Sequence, residues 1–222
     1  ALAARGYPQP VLDSMNPKAK EALSLNSNLT FHAACIVVYD GETGRSRDYS
    51  VQAGQPLPVS QIPASDLGLA WVISNDGEDC LNVQFSYEWH SMPAFRFQDP
   101  IALSWDGEQF AMVDDTFEKT DYYREYMIDS VTGETSLSGV KIQSQENGYA
   151  DGSDNGVTWY ADLKGGLSVS ELYGEASVTL EKLTPASGAS RIDGLYVHSA
   201  LFSWNSPAVS GSGDFTVTGD RP

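Results

Sequence analysis

The stretch "DGSDNGVTWYAD" puts Asp151, Ser153 and Asn155 at alternate positions, follows them with Gly156, and closes with Asp162 at the twelfth place. Oxygen donors at that spacing, with a glycine to bend the backbone, can wrap a hard cation such as calcium. Two features oppose this. Asp162 is shorter than the bidentate Glu usual at the twelfth place, and the flanks "QENGYA" and "DLKGGLSVS" read as strand and turn where that motif needs helices. The stretch is therefore expected to be a surface turn first and a calcium-binding β-loop second. No cofactor other than calcium is suggested. Cys35 and Cys80 lack any CxxC or Cys/His spacing for zinc, and they read as buried thiols or as one disulfide.

A second pair lies in "LNVQFSYEWH", where Glu88 and His90 fall on the same side of a strand, about 7 Å apart by strand rise. A carboxylate and an imidazole could serve there as acid and base, but catalysis needs a further partner and a cleft. The other histidines, His32 and His198, sit in unrelated strands without a local carboxylate-rich motif. Glu88 and His90 are thus expected to face solvent or a partner. The nucleophile elbow GxSxG, the zinc helix HExxH, the phosphate loop GxxxxGKS/T and the dinucleotide turn GxGxxG are all missing. Paired carboxylates can hydrolyse glycosides, yet among 30 Asp and Glu some pair falls at a suitable separation by chance. The residues speak for binding or structure rather than catalysis, and a jelly-roll glycoside hydrolase is the remaining enzymatic reading.

Aromatic side chains offer a different chemistry. Trp71, Trp89, Trp105, Trp159 and Trp204 could stack on sugar faces, but their place in apolar alternation puts them in the core. In "DYYREY", Tyr122, Tyr123 and Tyr126 suit a ligand surface or a subunit contact, where an apolar ring and a polar tip are both used.

These side chains must be carried by strands. Leu81, Val83, Phe85, Tyr87 and Trp89 alternate with polar residues without a break, which means one buried and one wet face. "FHAACIVVY" and "RDYSVQA", joined by "DGETGRS", predict a hairpin, and further hairpins are read around Asp106-Gly107, Thr132-Gly133 and Lys164-Gly165-Gly166. Later strands are "EASVTLEKL", "GLYVHSALFSW" and "DFTVTG". Asn16 as cap, Pro17 at the first helical position and "KAKEALSL" predict a short helix. The preceding "ALAARGYPQP" reads as an arm that drapes over a neighbour or frays. "DDTFEKTDYYREYM" reads as a short helix opened by a capping box of Asp115 and Glu118. The expected fold class is all-β, an antiparallel β-sandwich or jelly roll of about ten strands with a short N-terminal helix and arm. Pro93 and Pro100 mark the best boundary, giving an arm and helix at 1–30 and β regions at 31–100 and 101–222, or one continuous sandwich from the last two.

The 222 residues carry 13 Lys+Arg against 30 Asp+Glu, a formal net charge of −17, with no compensating basic tract. Such a charge repels nucleic-acid phosphates and anionic membrane surfaces, so neither is an expected partner. No run reaches the roughly 18 apolar residues of a membrane helix. A chain opening at Ala1, without methionine or leader, reads as a processed product. Asn28-Leu29-Thr30 matches the glycosylation acceptor pattern.

The stretch "DLGLAWVISNDGEDCLNVQFSYEWHSMPAFRFQDP", beginning at Asp66, resembles the end of the shell domain in coat proteins of small icosahedral RNA viruses. There a glycine-linked strand, a polar turn and a long alternating strand lead through a proline-bearing segment to a projection. The resemblance implies shell strands at Leu67–Ser74 and Leu81–His90, a surface-exposed β domain after Pro100, and a cation or contact site in the 151–162 loop. It implies a capsid protein of a virion that self-assembles with further copies or other capsid subunits. The alternative is a secreted β-sandwich that binds a carbohydrate or a cell-surface receptor. The expected location is a virion or the extracellular space.

Overall fold

The computed structural model describes residues 1–56, 63–148, 151–153, 155–183, 189–198 and 211–218, with 151–153, 189–191 and 211–218 described by backbone alone. The N-terminal region holds a 3-10 turn at Ala3–Arg5 and two helices, α1 (Gln9–Ser14) and α2 (Pro17–Leu25). Strands follow in chain order: β1 (Leu29–Asp40), β2 (Arg45–Gln52), β3 (Leu67–Asp76), β4 (Cys80–Trp89), β5 (Gln98–Trp105), β6 (Phe110–Met112) and β7 (Glu118–Ile128). The remainder are β8 (Thr135–Leu137), β9 (Lys141–Asn147), β10 (Asp151–Ser153), β11 (Gly156–Asp162), β12 (Val169–Lys182), β13 (Ala189–Tyr196) and β14 (Gly211–Thr218).

They form two antiparallel sheets, an all-β sandwich as the alternation requires. The larger runs β2-β1-β3-β4-β12-β7-β8, with β6 also on β12 and β9 also on β7. The smaller runs β10-β11-β5-β13-β14. The larger sheet mixes strands from before and after Pro100, as where β4 pairs with β12, and Pro100 itself lies within β5 of the smaller sheet, which pairs with β13.

The alternating row of β4 is buried as expected, and Trp71, Trp89, Trp105 and Trp159 join it between the sheets. The larger sheet is covered on its outer face as well. There Tyr7, Val11, Met15 and Leu23 pack on Phe31, Ala34, Ile36, Ala70 and Val72. Burial on both faces explains why β1 and β3 read as apolar runs without clean alternation. The larger of these side chains each contribute about 1.5–3 kcal/mol on burial, and with Tyr7 among them the N-terminal segment packs on its own sheet. Tyr7 Oη and Ser74 Oγ meet at 2.7 Å, and Arg5 donates to the α2 carbonyl of Leu23 at 2.8 Å.

Helix α2 begins as its cap predicts. Asn16 Oδ1 accepts from Ala19 N at 2.9 Å, while Nδ2 donates to Ser86 Oγ, Tyr87 O and Gly174 O at 3.0, 3.2 and 2.7 Å. The polar face of β4 is consequently only partly wet, with Gln84 and Ser86 buried.

Three local readings change. Residues 118–128 are strand β7, not a helix, and Asp115 takes a left-handed φ of 58° in place of a cap conformation. The turns at Asp106-Gly107 and Lys164–Gly166 do not close hairpins. Each carries the chain across the sandwich, from β5 to β6 and from β11 to β12, between strands of different sheets. Turn composition specifies reversal but not the sheet that receives the next strand. Cys35 and Cys80 are not joined in a disulfide, and Cys35 is buried. Trp204 lies outside the described residues. Among the described residues no helix is long and apolar enough to cross a membrane.

Candidate functional site: a cleft with an aspartate-anchored histidine

At one end of the sandwich a cleft of about 720 Å³ is walled by Tyr39, Asp66, Trp89, Met92, Phe95 and His198. Asp66 knits its rim together. Its N–H donates to Tyr39 O at 2.8 Å, its carbonyl accepts from His90 N and Ser91 N at 2.8 and 3.2 Å, and its carboxylate accepts from Gly41 N at 2.6 Å. One residue thus fixes the ends of β1, β3 and β4. Asp40, also on the rim, accepts from the amides of Glu42 and Thr43, and these hydrogen bonds hold its carboxyl below the usual carboxylate range.

The base of the cleft is built by the pairing of β5 with β13, which sets Tyr196 opposite Ile101. Val197 N then donates to Pro100 O at 3.0 Å, and the chain delivers Tyr196 and His198 to the fully buried Asp99. Tyr196 Oη donates to Asp99 Oδ2 at 2.5 Å, and His198 Nδ1 lies 2.8 Å from Oδ2 and 3.1 Å from Oδ1. Trp89 Nε1 donates to Tyr196 Oη at 3.3 Å, and the Trp89 ring meets the His198 ring edge-on at 4.8 Å. Burial, reinforced by the charge of Asp99, pushes the Tyr196 phenol well above its ordinary range, so it stays a donor.

An ionised carboxylate only accepts hydrogen bonds, so the proton of a neutral His198 belongs on Nδ1 and Nε2 is left as an acceptor. Among the described residues nothing hydrogen-bonds Nε2, while the ring lines the cleft. This is the arrangement by which a buried acid sets the tautomer and orientation of a base.

A second buried network joins the two sheets. Lys119 Nζ on β7 donates to Asp121 Oδ2, Tyr160 O and Asp162 Oδ2 at 3.1, 2.6 and 3.4 Å. Asp121 also accepts from Tyr87 Oη, Ser144 Oγ and Asp162 N at 2.8, 2.8 and 3.0 Å. Burial holds the Asp121 carboxyl above its ordinary value in spite of Lys119. At Asp162 burial acts in the same direction, but hydrogen bonds from Ser144 and Gln98 and the Lys119 charge outweigh it and leave a net lowering.

The residues singled out by sequence fall elsewhere. Asp151 and Ser153 lie on β10, which pairs Asp151 with Thr158 and Ser153 with Gly156, so the stretch is a hairpin. The side chains of Asp151 and Ser153 lie outside the described residues. Asn155 sits in the turn, its carbonyl accepting from Trp105 N at 2.9 Å. Asp162 is four residues beyond Thr158, about 13 Å along an extended strand. Its carboxylate accepts from Gln98 Nε2 at 2.7 Å and from Lys119. Among the described residues no group of three or more His, Cys, Asp or Glu has a metal-binding arrangement.

Tyr122 stacks on Tyr173 at 5.4 Å and donates to Glu175 at 3.1 Å; burial and the Glu175 charge push its phenol up to about 12. Tyr123 takes Lys164 and Lys141 over its ring at 5.3 and 5.7 Å. Tyr126 is exposed, at 55 %. Glu88 pairs across to Gly68 and Tyr173 on the larger sheet, and His90 is exposed beside the cleft rim. Sequence reading missed Asp99, Tyr196 and the role of His198, because the acid and the base are 99 residues apart.

No family model matches the chain, and no curated protein matches its sequence.

Proposed function

We propose that the chain is an extracellular ligand-binding β-sandwich whose end cleft holds a neutral, hydroxyl-rich segment of a carbohydrate. The observation that carries this reading is the lining itself. Aromatic and apolar walls from Tyr39, Met92 and Phe95 stand beside acceptors on Asp66 and His198, and among the described residues neither Lys nor Arg lines the space. Ligand sites are concave, mainly apolar, and carry a few convergent polar groups. Rings supply the face on which a sugar packs, and acceptors take its hydroxyl protons. The acidic rim and the net charge of −17 disfavour anionic glycans. Isothermal titration calorimetry against neutral oligosaccharides tests the reading. Binding that weakens about tenfold in Phe95→Ala, the loss of about one aromatic contact, supports it. Absence of binding across neutral glycans contradicts it.

A second reading, a self-assembling virion-type coat component, is favoured by one observation. Tyr126, Ile128, Val131, Val140, Ile142 and Leu167 are all exposed, on or beside β7 and β9. Apolar side chains gathered at one part of a surface are a feature of subunit contacts. Sedimentation velocity separates the readings: a megadalton particle supports the coat component, and a 24.0 kDa monomer or small oligomer supports the binding module.

A further inference from the structure

The Asp99–His198 pair is more elaborate than ligand binding requires. A hydroxyl can be held by any exposed acceptor, whereas here a fully buried carboxylate is kept with two donors in place to orient one imidazole. Taking a carboxylate out of water costs several kcal/mol before its partners compensate. What this arrangement adds to an acceptor is the capacity to take up a proton: Asp99 stabilises the imidazolium that would form.

We propose that His198 is a general base and that the cleft hydrolyses an acyl ester carried by the carbohydrate. This rests on the carbohydrate-binding reading of the cleft. His198 Nε2 takes a proton from a water molecule as the water oxygen bonds to the acyl carbon. The adduct collapses by breaking the bond from that carbon to the sugar oxygen. The sugar oxygen leaves with the proton that His198 received, giving a carboxylic acid and a free hydroxyl. Among the described residues Tyr39, Ser65 and Ser91 bring side-chain hydroxyls to the lining and are the donors offered to the oxygen that becomes negative. His198 is the catalytic residue, and Asp99 and Tyr196 are positioning residues.

Other hydrolyses fit the lining less well. Phosphate and sulfate esters would meet Asp40, Glu42 and Asp66 with no Lys or Arg in the cleft wall among the described residues. Glycoside cleavage needs a carboxylic acid that still holds its proton near neutrality. The amides around Asp40 push its carboxyl the opposite way. An acyl ester is neutral and is within the reach of a single imidazole base.

The test measures acetate release from O-acetylated neutral oligosaccharides and from 4-nitrophenyl acetate, with calorimetric binding of the deacetylated oligosaccharides in parallel. Wild type is expected to release acetate, and His198→Gln to lose at least about a hundredfold in kcat while its binding of the deacetylated sugar weakens by no more than about tenfold, the worth of one hydrogen bond, as a residue acting mainly in the transition state should. Asp99→Asn is expected to lower kcat with little change in KM and to displace the pH profile, which a merely structural role would not do; near-UV circular dichroism checks its fold. Wild-type release no greater than that of His198→Gln, with sugar binding intact, overturns the esterase and leaves the binding module standing. Acetate release without binding of any deacetylated sugar supports the dyad and overturns the carbohydrate reading, and absence of both overturns both.

Discussion

Two buried aspartates in this sandwich solve the same electrostatic problem in opposite ways. Asp121 and Asp99 are each almost wholly removed from water, and each accepts a hydrogen bond from a buried tyrosine, Tyr87 in one case and Tyr196 in the other. Around Asp121 the remaining partners are all internal: Lys119, Ser144 and the amide of Asp162, from strands of both sheets. Around Asp99 one partner is an imidazole whose ring lines a cleft. A buried carboxylate is therefore not in itself the mark of a site. The distinction is whether its partners end inside the protein or at a surface that a ligand can reach.

The largest expected effect tests the closed network. Asp121→Ala leaves Lys119 buried beside fewer acceptors and is expected to cost about 3–5 kcal/mol in urea unfolding. Loss of less than about 1 kcal/mol, the range of an exposed pair, would mean that the network does not tie the sheets. Asn16 forms a smaller closed knot, so Asn16→Ala is expected to cost about 2 kcal/mol through the lost cap and the buried acceptors left unmet. An unchanged unfolding midpoint would break that parallel. In the open network, Tyr196→Phe removes one donor to Asp99 and is expected to cost about 1–2 kcal/mol by the same measurement. Its larger consequence should fall on acetate release.

The two tyrosines provide a pH test with a definite sign. Tyr87 and Tyr196 both have phenols held well above the ordinary value of 10.0, chiefly by burial and then by the neighbouring carboxylate. A group whose folded value is raised contributes stability that is present below its unfolded value and is lost as pH rises toward the folded one. Stability should thus decline above about pH 10, the ordinary phenol range. Phenolate absorbance at 295 nm should then show these two rings titrating only as the protein unfolds. Tyr87→Phe or Tyr196→Phe should each make the alkaline decline shallower. The smallest effect is expected from metal removal: excess EDTA should leave Tm unchanged, since Lys119 and Gln98 already occupy the Asp162 carboxylate.

The parts of this fold that could be read from sequence are those whose information is local. The β4 alternation and the Asn16-Pro17 helix start each depend on a few adjacent side chains. β7 was obscured because its core-facing row contains Lys119 and Asp121, and buried charge breaks the apolar period that identifies a strand. The turns at 106–107 and 164–166 were visible, but the crossing between sheets depends on which strands are already paired. The same limit applies to the cleft. Asp66 gathers three strand ends, and Asp99 meets His198 only once β5 and β13 are in register.

The central claim, that Asp99 fixes the His198 tautomer and leaves Nε2 as an acceptor, is most directly tested by long-range proton–nitrogen NMR correlation of the His198 ring at a pH where it is neutral. The expected result is a proton on Nδ1 and an unprotonated Nε2, with the tautomer lost or reversed in Asp99→Asn. A proton on Nε2 in the wild-type protein would contradict the account.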